Sequence, residues 1–113
     1  MTARTALKKS IEHWIENVEV THNTPTGKSL RNNGYRVSGR HCACCLKYVL
    51  SSAKSCYKCP IYQISLGMLC DVTPYINAAK HLSGSKKAIN DATLEAWFLL
   101  NVWYCLGYKG DPV

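Results

Sequence analysis

Apolar residues in the first stretch of the chain recur at helical spacing. Leu7, Ile11, Trp14, Ile15 and Val18 fall at i, i+4, i+7, i+8 and i+11, which gathers them into one stripe and predicts an amphipathic helix over 5–20 with its stripe in the core. Lys8 and Glu12 form an i,i+4 pair on the outer surface. His13 lies on the far side of the wheel, beside Lys9 and Glu16, so burial in the stripe does not account for it. It reads first as an exposed helix histidine and second as a ligand or contact residue.

The periodicity stops in 21–40, THNTPTGKSLRNNGYRVSGR, which is polar and basic. Asn33-Gly34 is a type I′ turn signal between Leu30-Arg31 and Tyr35-Arg36-Val37, and it predicts a short β-hairpin. A solvated connecting loop is the competing reading, because clusters of Gly, Asn and Pro are usually connections. Further on, 46–52 reads as a short helix and 60–69 as an apolar segment broken at Gly67. Thr73-Pro74 signals a helix over 74–82, with Thr as N-cap and Pro in the first turn. Tyr75, Ala79 and Leu82 would share its face, and Ser83-Gly84 would end it.

After a basic linker at 85–87, the last helix is expected over 91–107. Between 94 and 106 its strongly polar residues are Glu95 and Asn101. A membrane span needs about 20 apolar residues, so this segment is a core helix or an interface, not a span. Trp97, Phe98, Trp103 and Tyr104 point in different directions around the wheel and cannot all face one small core. Trp97, Trp103 and Tyr104 are therefore candidate contacts for a partner or for a homodimer.

At 113 residues the chain is the size of one small domain, whose core is limited in area. Fourteen Lys+Arg against seven Asp+Glu give a formal charge of +7. That balance favours phosphate backbones, anionic surfaces or acidic protein faces without choosing among them. Lys28, Arg31, Arg36 and Arg40 lie within the 21–40 segment with Tyr35 among them, a mix suited to phosphate contacts with one stacking ring.

The cysteines change the picture most. Cys42-x-x-Cys45, ten residues, then Cys56-x-x-Cys59-Pro60 can present four thiolates to one tetrahedral ion. A disulfide framework fits poorly: the cysteines number seven, and residues 1–10 lack the apolar stretch of a secretory signal, which implies a reducing cytoplasm. No βαβ unit is evident to carry a redox C-x-x-C. Zinc is expected at Cys42, Cys45, Cys56 and Cys59, with an iron–sulfur cluster as the rival because a Pro follows Cys59. Cys70 is the substitute ligand and His13 a less favoured one, while Cys44 and Cys105 are surplus. Even after the charge of −2 on a zinc tetrathiolate, the chain stays basic at about +5.

Enzymatic readings are weak. Two C-x-x-C pairs close the zinc tetrahedron, whereas catalytic zinc keeps an open position. A zinc deaminase would carry H-x-E ahead of P-C-x-x-C, which this sequence lacks. Four Glu and three Asp, with Glu12, Glu16 and Glu19 together on one helix, offer no persuasive acid/base pair. Thr26-Gly27-Lys28-Ser29 is not a phosphate-binding P-loop, because the position five before Gly27 is His22 instead of Gly.

The order Ser10-Ile11-x-His13-Trp14-x-x-Asn17, Cys42-x-x-Cys45, Cys56-x-x-Cys59-Pro60 and Cys70-x-x-Thr73-Pro74-Tyr75, followed by an apolar helix, resembles a group of small cysteine-cluster proteins encoded by bacteriophages and prophages. The likeness spans most of the chain. It implies a phage setting, a bacterial cytoplasm and a metal cluster that can involve Cys70, and it raises the standing of His13. The basic 21–40 segment and Cys44 depart from the group's pattern.

The expectation is thus a mainly α single domain with a short β-hairpin and a zinc knuckle in 41–75 between N- and C-terminal helices. Its expected role is non-enzymatic association with nucleic acid, or a nucleic-acid-containing complex, through Lys28, Arg31, Tyr35, Arg36 and Arg40. The alternative is a phage-encoded modulator or inhibitor of a host protein, a defence or transcription component, bound through the aromatic C-terminal helix.

Overall fold

The computed structural model describes residues 2–37 and 74–112. Among these the fold is mainly α, with helices α1 (Ala3–Asn23), α2 (Tyr75–Ala79) and α3 (Lys86–Cys105) and a 3-10 turn at Arg31–Asn33. The expected metal ligands Cys42, Cys45, Cys56, Cys59 and Cys70 lie outside the described residues, as do Arg40 and the segments 46–52 and 60–69.

Helix α1 buries the stripe that its periodicity predicts, with Leu7, Ile11 and Trp14 in the core. It runs longer than 5–20 at both ends. Thr2 caps the start, its side chain accepting from the Thr5 N–H at 3.1 Å. At the other end Thr24 donates its hydroxyl to the Val20 carbonyl at 2.7 Å, and the Thr24 N–H reaches the same carbonyl at 3.0 Å.

Helix α3 starts earlier than expected, because Ser85 is its N-cap and accepts from the Ala88 N–H at 3.0 Å. Lys86 and Lys87 are thus its first turn and not a linker. Its buried face carries Ala88, Ala92, Ala96, Leu99, Val102 and Trp103, packed along α1. The three alanines recur every fourth residue, and such small side chains let two helix backbones approach closely. Trp103 is fully buried, which removes it from the candidate interface. The chain after α3 folds back over it: Tyr108 meets its ring edge-on at 5.1 Å, Arg4 stacks 4.8 Å from the ring, and its indole N–H donates to the Gly110 carbonyl at 3.2 Å.

Helix α2 is shorter than the expected 74–82. It ends at Ala79, and Ala78 is its buried residue. Leu82 lies beyond it, 81 % exposed, because 82–84 turns away to meet the segment 26–30. Among the described residues no hairpin forms about Asn33-Gly34. The 3-10 turn Arg31–Asn33 ends on Gly34 at φ 104°, a left-handed conformation that glycine adopts without penalty. The pairing partner of the preceding residues comes from 54 to 58 residues downstream, through bridges Thr26–Gly84 and Ser29–Ser83. None of the described helices is long and apolar enough to cross a membrane.

Candidate functional site

The basic segment is held from two sides. On one, the Gly27 N–H donates to the Gly84 carbonyl at 3.0 Å, the Gly84 N–H to the Lys28 carbonyl at 2.9 Å, and the Leu30 N–H to the Leu82 carbonyl at 3.0 Å. A Cβ built on Gly84 would stand 2.5 Å from the Pro25 carbonyl oxygen and 2.7 Å from that of Thr24, so this crossing admits no larger residue without backbone movement. On the other side the buried Asn17 of α1 meets Arg36 as a strand neighbour would. Its amide donates to the Arg36 carbonyl at 2.8 Å, while its side-chain oxygen accepts from the Arg36 N–H at 3.1 Å.

His13 also points here. Its Nε2 lies 2.7 Å from the Arg36 carbonyl and 3.4 Å from the Asn17 amide nitrogen.

Tyr35 is not a stacking ring. It is buried, standing edge-on to Trp14 at 6.1 Å, and its hydroxyl donates to the Ala78 carbonyl at 2.6 Å. Burial first, then the nearby Asp91 and Glu95 carboxylates and Tyr75, hold its phenol well above the ordinary tyrosine range. A buried neutral phenol anchors the segment and offers no face to a base.

The cations remain outside. Lys28, Arg31 and Arg36 are exposed. Arg36 donates from Nη1 to the Arg31 carbonyl at 2.8 Å and to the Tyr35 carbonyl at 3.1 Å, which folds its guanidinium across the 3-10 turn. Arg31 and Arg36 line an open cavity of about 580 Å³ together with Tyr35, Val37, Ala79, His81 and Leu82, and no carboxylate lines it among the described residues. His81 is steadied by a 2.6 Å contact from Nε2 to Asp91 of α3. The sequence reading missed His81, Leu82 and Asn17 as parts of this region, because their places depend on contacts between distant segments. The Ser85 cap that fixes the start of α3 was missed as well, although serine before a helix is a start signal.

Of the proposed aromatic interface, Trp97 and Tyr104 are exposed on α3 and Trp103 is not. No family model, curated protein or solved structure matches this chain.

Proposed function

We propose that the chain is a non-enzymatic, zinc-stabilised binding module of bacteriophage type that associates with nucleic acid through Lys28, Arg31, Arg36 and Arg40. The observation that carries the reading is the shared cavity of Arg31 and Arg36, whose backbone is pinned by Asn17 and by the crossing at Gly84. Cations on a fixed backbone lose little freedom when a phosphate arrives, and the described residues of the cavity wall include no carboxylate to add repulsion. Tyr35 serves this reading as an anchor instead of a stacking contact.

Binding measured by fluorescence anisotropy with labelled single-stranded and duplex oligonucleotides is expected to fall steeply with salt. Each neutralised phosphate releases about 0.9 of a counterion on duplex DNA and about 0.7 on single strands. Arg31→Glu should weaken binding to every sequence and lower the salt slope by about one. Affinity that is indifferent to salt, or an Arg31→Glu protein that binds as the wild type does, would overturn the reading.

A further inference from the structure

The outward face of α3 carries a pattern that a solitary helix does not need. Lys87, Asn90, Leu94, Trp97, Asn101 and Tyr104 are all exposed, and they are spaced 3, 4, 3, 4 and 3 residues apart. This is the a/d seam of a two-helix coiled coil, lying opposite the face that packs on α1. We infer that this seam is the interface of an antiparallel, two-fold homodimer formed by α3 and the α3 of a second copy.

The spacing reads the same in both directions, so an antiparallel partner meets it in register along its whole length. Leu94 then opposes the partner's Trp97 at the centre, Asn90 opposes the partner's Asn101, and Lys87 opposes the partner's Tyr104. Each contact occurs twice, as an isologous interface requires. The centre is apolar. The flanking asparagines can exchange amide hydrogen bonds, a device that fixes register at some cost in stability. At the ends, an ammonium meets the face or edge of a phenol ring.

Charge selects this partner over others. Helix α3 begins with Lys86-Lys87, has no acid in its first turn and has no base in its last. For an isolated helix that arrangement is unfavourable, since cations suit the C-terminal end of the helix dipole. An antiparallel copy reverses the sign of the effect, bringing Lys87 to the partner's C-terminal turn, which has no basic residue of the helix itself and whose neighbouring Arg4 is engaged with the Trp103 ring and the Lys109 carbonyl. The seam between Lys87 and Tyr104 contains no charged residue, so no like charges face each other within it.

Area sets the strength. Leu94, Trp97 and Tyr104 are 58, 66 and 61 % exposed, which offers on the order of 400 Å² of mainly apolar surface per copy. A standard stable interface covers about 800 Å² per partner. The polar seam residues and their flanks supply part of the remainder, so the dimer is expected to dissociate in the micromolar range.

Sedimentation equilibrium of the full chain, under reducing conditions so that exposed Cys105 cannot cross-link copies, tests this. The wild type should pass from monomer to dimer across the micromolar range, and Trp97→Glu should stay monomeric with an unchanged circular dichroism spectrum. Lys87→Glu and Tyr104→Lys should each weaken association by about tenfold, and the double variant, which restores opposite charges at the same contact, should recover it. Lys87→Glu also improves the match to the dipole of its own helix, so the monomer should be no less stable. A wild type that is monomeric throughout overturns the inference and leaves the seam to a different protein. Trp97→Glu dimerising normally, or a double variant no stronger than the singles, overturns it as well.

Discussion

Tyr35 and Asn17 show how much of the basic segment's placement depends on single side chains. Tyr35 reaches from beside the 3-10 turn to the Ala78 carbonyl at 2.6 Å, tying the segment to α2. Tyr35→Phe should cost about 1 kcal/mol at neutral pH, because the carbonyl loses its donor while the ring keeps its packing. Its pH dependence follows from the raised phenol. The folded protein holds this proton at alkaline pH values where the unfolded chain has released it. The contribution of Tyr35 is therefore complete below about pH 10 and is lost as pH rises above that value. Urea midpoints should fall more steeply above this pH in the wild type than in Tyr35→Phe, and parallel curves would contradict the assignment. Tyr35 was misread from sequence for a physical reason: a tyrosine among arginines looks like a stacking ring until the fold supplies Trp14 and α2 to cover it.

Among the elements, α1 was legible because one period of 3.6 with one apolar stripe has one solution. Helix α3 was legible as a helix but not in orientation. Apolar residues surround it, and packing along α1, with the tail returning over Trp103, sets Trp103 in and Trp97 out. The supposed hairpin failed because Asn33-Gly34 does supply a left-handed residue, but Gly34 closes a 3-10 turn and the pairing partner lies at 82–84. That long-range crossing gives a specific expectation. Gly84→Ala drives its new methyl into two backbone carbonyls that cannot rotate away. A loss of about 1–3 kcal/mol in chemical denaturation is expected, together with weaker nucleic-acid binding as the wall bearing Arg31 shifts. Unchanged stability would mean that the crossing yields more easily than its geometry implies.

At the scale of the whole molecule, the helical layer has a core of its own in Leu7, Ile11, Trp14, Leu30, Leu99, Val102 and Trp103. The proposed zinc site belongs to the remaining part of the chain, where the C-x-x-C spacing was the clearest chemical signal in the sequence. One zinc per chain is expected by elemental analysis of protein purified without chelator. Cys42→Ser or Cys56→Ser should lose the metal, and since structural sites of this kind contribute on the order of 10 kcal/mol to folding, folded yield should fall with it. Cys70→Ser keeping full metal content would leave Cys70 a packing role, whereas a visible charge-transfer spectrum would replace zinc by iron and sulfur. The two ends of the cysteine-bearing stretch meet at one place: the Tyr75 hydroxyl donates to the Val37 carbonyl, and Trp14 stands edge-on to both Tyr35 and Tyr75. The chain thus leaves and re-enters the described helices at one point, where the Tyr75 hydroxyl closes on the Val37 carbonyl, so whatever pulls on one end of the stretch is felt at Trp14 as well.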